Sequence, residues 1–550
     1  MSTPATPDWD LIVVGSGFGG AVAALRAAEQ GHRVLVLEQG REVSSADMRA
    51  AAEDPKRLLW APRLGLHGHF TQTLLRHLSV ASGVGVGGGS LVFAAVLLEP
   101  GEGFYRDPAW AALPARDWRA ELAPHYARAA RMLGRATNPR QSQQDHWLRE
   151  TATAMGAAAS FGPVPQAILF GEAGQAPGQV MADPFFGGAG PERRSCTFCA
   201  DCCSGCHVGA KNSLDKNYLH LARRRGVQIR AERRVECIRP LGPGDVEGKG
   251  GGYELCVRGT LAPRLQERYR ARRVVVAAGV LGTLALLLAC RERWRTLPAL
   301  SPRLGEQVRS NSEVISSVTA RERDIDLRDG ATISTHFSLG EHTHVTQNRF
   351  SRSLRVLRWQ GGPLVSEPRP LARALKTLAA FVLRPREATA SMRSGRRWAE
   401  RTTVLLTMQA VDSQLALRLK RGLFGWRLAS VVPEGHQRAP SYLPQAQQLT
   451  ETFARVSGGT PGNALPETLL GAATTAHVLG GCVMGGDARS GVVDERGEVF
   501  GYPGLYVMDA SIVPANVGVN PSLTITAMAE RCMSFFPPPA APFEGGVAAS

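Results

Sequence analysis

Two groups of residues are clustered tightly enough to do chemistry. Cys196, Cys199, Cys202 and Cys206 form a C-x2-C-x2-C-x3-C run, with Cys203 as an extra thiol and His207 after the last. That spacing is the ligand run of a bacterial [4Fe–4S] cluster, four thiolates also suit a tetrahedral zinc, and free or structural thiols are the third reading. The other group is glycine. Gly15-Ser16-Gly17-Phe18-Gly19-Gly20 spells G-x-G-x-x-G, and Gly83-Val84-Gly85-Val86-Gly87-Gly88-Gly89-Ser90 is a second glycine-dense loop. Permissive backbone at that density suits close approach of the chain to a phosphate or a large flat ligand.

The elements around the first glycine run fit that chemistry. Leu11 to Val14 reads as a strand, Ala21 to Gln30 as a helix closed by Gly31, and Arg33 to Leu37 as a second strand ending at Glu38. In such a βαβ unit Gly15 makes the tight turn, Gly17 lets the backbone approach a pyrophosphate, and Gly20 lets the helix lie on the strand. The helix N-terminus supplies partial positive charge, and Glu38 would accept hydrogen bonds from ribose hydroxyls. The motif alone does not separate FAD from NAD; the second loop, followed by the apolar run Leu91 to Leu98, favours FAD. Further strands are expected at 227–231, 235–240, 253–258 and 272–277, with a helix capped by Ser213 running through Arg225 to Gly226. The longest apolar stretch, Val274 to Cys290, is short for a membrane span and contains Gly279, Gly282 and Thr283, so it reads as a strand turning into a buried helix.

A chain of 550 residues, 44% hydrophobic and 20% charged, is long enough for two to four domains and excludes disordered, collagenous and coiled-coil classes. The net charge is +16, yet only six of the 64 basic residues are lysine. No aromatic-interleaved RNA motif or zinc-finger spacing accompanies that charge, which argues against nucleic acid and leaves an anionic membrane surface as the better partner. Ten cysteines, half of them between Cys196 and Cys206, do not make an extracellular disulfide frame. With no signal peptide or transmembrane helix in the pattern, the expected location is cytoplasmic, with peripheral membrane contact. Leu371, Leu375, Leu378 and Val382 recur at helical spacing, with Arg373, Lys376 and Arg384 elsewhere on the wheel. This is either a surface helix packed on the core or a lid or docking element that meets lipid. The tail 537–550 is expected to be disordered.

Six ordered blocks resemble the glucose-methanol-choline (GMC) flavin oxidoreductases, in their cholesterol oxidase branch of actinobacterial type. They are LIVVGSGFGG with Glu38, GVGVGGGSLV (83–92), GCHVGAKNSLDKNYL (205–219), VVVAAGVLGT (274–283), HVLGGCVMG (477–485), and GYPGLYVMDAS with GVNPSLTITAMAER (501–531). The resemblance implies an α/β (α+β overall) architecture: a Rossmann-like FAD-binding domain from 1–100, 194–300 and 475–536, interleaved with a sheet-based substrate domain from 101–193 and 301–474. It implies FAD held by Gly15, Gly17, Phe18, Gly19, Gly20, Glu38, Gly83, Gly88, Gly89, Ser90, Val235, Ala278, Gly279, Asp509, Ala510 and Asn520.

The implied reaction is oxidation of a sterol or other bulky hydrophobic alcohol. A carbinol carbon must lose a hydride to flavin and its oxygen a proton, and His477 matches the family histidine that takes that proton, because an imidazole both donates and accepts near neutral pH. Asn520 matches the family asparagine that orients the hydroxyl. Reoxidation would be by dioxygen, giving hydrogen peroxide, or by an external acceptor, in which case a cysteine-bound cluster could relay electrons. The sequence departs from the family at Val478, where proline is usual, and at Phe93, where some cholesterol oxidases carry asparagine. Glu400 is the candidate for the glutamate base that moves the steroid double bond.

Overall fold

The computed structural model describes residues 8–172, 174–242, 251–410, 413–422 and 425–539. Two seven-stranded sheets organise the chain. The first has the order 228–230, 34–37, 9–14, 266–276, 253–259, 233–240, with Leu505–Val507 added alongside Val274–Val276. The strands around Trp9–Val14 run parallel, as a βαβ unit requires, whereas Arg233–Pro240, Tyr253–Gly259 and Gln266–Val276 form an antiparallel meander. Leu11, Ile12, Leu35, Val36, Val274 and Val275 are fully buried, as expected of the parallel centre of the sheet, whereas the meander strands carry exposed residues such as Arg234 and Arg268.

The strands fall within a few residues of their expected positions, and Val274 to Cys290 is a strand followed by the helix Gly279–Leu288. One element differs. The expected helix from Ser213 begins instead as a single tight turn, Leu214–Lys216, and restarts as Tyr218–Arg224. The Ser213 hydroxyl donates to Asp215 rather than capping, and the Asn217 side chain accepts the Tyr218 N–H at 2.6 Å, which starts the second segment.

The second sheet is antiparallel throughout, ordered 361–363, 460–464, 314–319, 402–409, 343–348, 335–339, 162–163. Its polar interior is anchored by one ion pair. Arg349 and Asp145 are both buried, with Nη2 2.5 Å from Oδ2, and Asp145 Oδ1 also accepts from Gln347 and Thr335. The C-terminal helix Ser522–Ser534 is tied to the Rossmann helix Phe18–Glu29 by a similar device: Glu530 accepts from Arg26 Nε at 2.8 Å and from the Tyr218 hydroxyl at 2.7 Å. Residues 540–550 of the tail lie outside the described residues, while the Pro537 carbonyl hydrogen-bonds to His32. Among the described residues no helix is long and apolar enough to cross a membrane.

The helix expected from Leu371 is present as Pro370–Leu383, but its apolar stripe faces outward. Leu371, Leu375, Leu378, Val382 and Leu383 are exposed, and the inner face is Arg373, Thr377 and Ala380. Arg373 causes this: its guanidinium donates to the carbonyls of Glu367 and Glu467 and to Ser441 Oγ, so the polar edge is drawn inward.

Replacing Arg349 with Leu leaves Asp145 charged and buried without its partner. Equilibrium denaturation should show a loss of about 3–5 kcal/mol, and an unchanged midpoint would mean that Asp145 is held by its neutral neighbours alone.

Candidate active site

The two glycine loops are packed on each other. A Cβ placed on Gly88, where φ is +52°, would lie 2.8 Å from Gly17 Cα, and one on Gly40 would lie 2.4 Å from the Gly85 nitrogen. Ser16, which occupies a variable position of the motif, is the cross-link: its hydroxyl donates to Glu38 Oε2 at 2.7 Å and accepts the Gly87 N–H at 3.0 Å. Gly19 is crowded by the Met508 carbonyl and Gly20 by the Gly15 carbonyl, so the helix start is fixed against the strand and the 508–509 segment. Gly17 caps this helix with no side-chain bond, and a Cβ there would meet nothing within 4 Å. The first turn therefore presents free amides to open space, which is the cradle that a pyrophosphate needs.

The other expected cofactor residues divide into those that face this cradle and those that build it. Phe18 opens the helix and meets Phe93 edge-to-face, and Gly89 lies beside the Phe18 ring. Gly83 is packed against the Gly88 carbonyl. Ser90 is buried, donating to the Gly87 carbonyl and accepting the Leu214 N–H, so its hydroxyl serves the loop itself. Glu38 is likewise engaged: Oε1 accepts from the Gly40 N–H and Oε2 from both polar groups of Ser16. Burial pushes its carboxyl up, and these hydrogen bonds oppose that. Val235 lies at a bulge in the meander, next to the segment in which the Glu38 carbonyl accepts the Arg233 N–H. Ala278 and Gly279 open the helix beside Gly15, and their amides are taken by Thr283 Oγ1 and by Asp509 Oδ2. Asp509 is buried, which raises its carboxyl, and its other oxygen holds Ser511. The adjoining Ala510 carbonyl accepts from Gly480.

His477 comes to these loops by strand pairing. Ala473–Thr475 runs parallel to Leu78–Gly83, with Thr475 opposite Val80, so the histidine arrives level with the entry to the second glycine loop. Its Nε2 is 3.2 Å from Asn520 Nδ2. Its Nδ1 contacts Glu313 Oε1, while Glu313 Oε2 accepts the Ala476 N–H at 3.3 Å. An amide NH2 only donates, so Nε2 presents its lone pair to Asn520 Nδ2 and Nδ1 carries the proton toward Glu313. Asn520 Oδ1 is buried without a hydrogen-bond partner. This is an orphaned acceptor beside a proton-accepting nitrogen, and it fits a bound ring edge or hydroxyl.

Glu313 was not legible from the sequence. It ends the buried polar run Arg309-Ser310-Asn311-Ser312-Glu313, and such a run just before the strand Val314–Thr319 is the only signal for it. The run braces both halves of the site: Arg309 and Leu479 exchange backbone hydrogen bonds, Asn311 Nδ2 donates to the Val519 carbonyl at 2.6 Å, and Asn516 Nδ2 donates to the Ser310 carbonyl. Ser312 sits at φ +48°, a strained conformation that these contacts hold in place. Glu400, the expected base, belongs to a different structure. Arg397 and Arg352 bond its two oxygens at 2.8 and 3.0 Å, and although burial opposes ionisation, they keep the carboxyl below its usual range. Paired in this way it cannot serve as a free base.

Residues 429–529 match the GMC oxidoreductase family and residues 10–53 match the FAD binding domain family. The chain is 36% identical over 532 residues to a cholesterol oxidase of Acinetobacter baumannii, covering 96% of this chain and 94% of that protein. It is 40% identical over 544 residues to a cholesterol oxidase of Mycobacterium tuberculosis, covering 96% and 91%. A long-chain-alcohol oxidase of Arabidopsis thaliana is 24% identical, covering 96% of this chain and 66% of that protein. The solved structure of pyridoxine 4-oxidase from Mesorbium loti superposes with a TM-score of 0.61 at 17% identity, covering 96% of this chain and 98% of that one, and so shares the fold.

Gly19→Val places a side chain where the Met508 carbonyl already lies and forces the helix start off the glycine cradle. The purified variant should lose most of its flavin absorbance near about 450 nm; full retention would mean that the helix start does not hold the cofactor.

Proposed function

The chain belongs to the GMC oxidoreductase family and is an FAD-dependent oxidoreductase acting on CH–OH donors; from that premise we propose that its substrate is a bulky secondary alcohol, a 3β-hydroxysteroid such as cholesterol. Dioxygen is the final acceptor and hydrogen peroxide the product. The reading is carried by the Glu313–His477–Asn520 array at the entry to the second glycine loop. The relatives named as cholesterol oxidases support a sterol, and the more distant long-chain-alcohol oxidase supports a large apolar alcohol.

In this reading the division 1–100, 194–300 and 475–536 against 101–193 and 301–474 separates cofactor from substrate. Gly15 to Gly20, Gly83 to Ser90, Val235, Ala278–Gly279 and Asp509–Ala510 surround FAD, which when bound supplies the acceptor for the hydride. The chain's own residues handle the proton. The alcohol takes the place of the Asn520 amide on His477 Nε2: its hydroxyl donates to Nε2, which takes the proton, while the displaced neutral amide fixes its position. Glu313 fixes the tautomer that makes Nε2 basic and faces the positive charge that the imidazole then acquires. Oxygen uptake with a sterol should fall about a hundredfold or more in kcat for His477→Ala. Glu313→Gln should also lower kcat, by about tenfold or more, with a smaller effect on KM, since it weakens the base without touching the alcohol. Normal turnover in His477→Ala would refute the assignment.

The outward face of Pro370–Leu383 supports a membrane source for such an insoluble substrate. Leu371 is 76% and Val382 80% exposed, and the patch is flanked by the exposed cations Arg369 and Lys376, which share Glu367, and Arg384, which pairs with Glu387, a net positive margin. Apolar anchors ringed by positive charge match an anionic lipid surface. Vesicles containing anionic lipid should sediment the wild-type protein at low salt and release Leu375→Glu/Leu378→Glu, whereas equal sedimentation of both would remove the helix from the proposal.

A further inference from the structure

Alcohol oxidation makes no use of the cysteine run, yet the fold organises it. Cys196, Cys199, Cys202 and Cys206 all line one pocket, together with Lys211. Cys203 takes no part in it: it packs instead against the apolar cluster of Leu58, Leu354 and Trp398. The four residues that share the pocket are the four that make up the C-x2-C-x2-C-x3-C spacing. The backbone is curled to achieve this, since Phe198 and Ala200, neither of them glycine, lie at φ +56° and +62°. Strain of this kind persists where the surrounding structure enforces it, and it concentrates at sites.

The four thiols and Lys211 share the lining of this one pocket, so an occupant held there would bond directly to sulfur. Among the described residues no three His, Cys, Asp or Glu side chains stand close enough to share a single ion. A tetrahedral zinc, with bonds of about 2.3 Å, would need its sulfurs that close together. A cubane, with a separate iron for each thiolate, spans wider spacing.

Two backbone amides already point at the sulfurs: Phe198 N–H donates to Cys196 Sγ at 3.3 Å and Lys211 N–H to Cys206 Sγ at 3.4 Å. The Lys211 ammonium is fully buried, and its hydrogen bonds go to the carbonyls of Cys202, Leu91 and Phe93 at 2.6, 2.8 and 3.2 Å. A thiolate-ligated cluster is anionic, and it would give this buried cation a counter-charge. The same ammonium ties the cysteine loop to the end of the second glycine loop.

We propose that Cys196, Cys199, Cys202 and Cys206 ligate a [4Fe–4S] cluster beside the flavin loop, with Lys211 as its buried counter-cation. The proposal does not depend on the identity of the alcohol. Full-length protein, isolated or reconstituted anaerobically with ferrous iron and sulfide, should carry about four irons and four acid-labile sulfides per bound flavin, with broad absorbance near about 400 nm. Cys199→Ser/Cys202→Ser should lose both, and Cys203→Ser should keep them. Flavin-loaded wild-type protein that takes up no iron, or binds zinc stoichiometrically in its place, would overturn the proposal, as would iron retained by the double variant. The wild-type metal content decides the matter even if a variant fails to fold.

Discussion

The site depends on a contact between two stretches of backbone. Where the first glycine loop meets the second, Gly88 lies so close to Gly17 that a side chain on Gly88 would run into the Gly17 backbone. Ser16 turns that approach into a fixed joint, because one hydroxyl bridges Glu38 and the Gly87 amide, and the carboxylate in turn holds Gly40. The cradle at the helix N-terminus is thus shaped before any ligand arrives. Preorganised amides of this kind stabilise negative charge without reorganisation when it appears. The parallel pairing of Leu78–Gly83 with Ala473–Thr475 then sets the imidazole against that joint, although the two strands lie nearly four hundred residues apart in sequence.

The parts of this arrangement that were legible in the sequence are those governed by local physics. Gly15 to Gly20 sits between a β-branched run and an alanine-rich helix, and the 3.6-residue and two-residue periods place those elements to within a few residues. His477 and Asn520 could be named from motif, and the fold brings them within 3.2 Å of each other. What could not be read was set by partners distant in sequence. Glu313 lies 164 positions before the histidine that it orients, and nothing in its neighbours marks it apart from buried polarity. Glu400, named only as a candidate for the base that would move a double bond, is bonded both by its neighbour Arg397 and by Arg352, 48 residues away. The helix at Pro370–Leu383 shows the same limit from the other side. A periodic apolar stripe predicts a helix but not which face is buried; Arg373, with four oxygen partners beneath it, decides that.

Polar groups in the interior of this protein are arranged as braces. Asp145 with Arg349, Glu530 with Arg26 and Tyr218, and Lys211 with three carbonyls each join segments far apart in the chain. Each costs desolvation, and each is satisfied by several partners at once, which is the condition under which buried charge is tolerated. Their common effect is to fix orientation between layers that apolar packing alone would leave free to slide. The run Arg309 to Glu313 does this between the second sheet and the loops on either side of His477.

The carboxylate that sets the histidine's tautomer enters from the first residue before a strand of the second sheet, whereas the cradle for the dinucleotide is built by the first sheet and the loop after Leu78–Gly83, with no strand of the second. Coenzyme occupancy and chemical competence are therefore separable properties. A molecule whose second sheet was displaced by a fraction of a hydrogen bond would still be yellow and fully loaded, yet its imidazole would be free to rotate or to carry its proton on the wrong nitrogen. Colour reports that one layer has assembled, and only turnover reports that the two layers are in register.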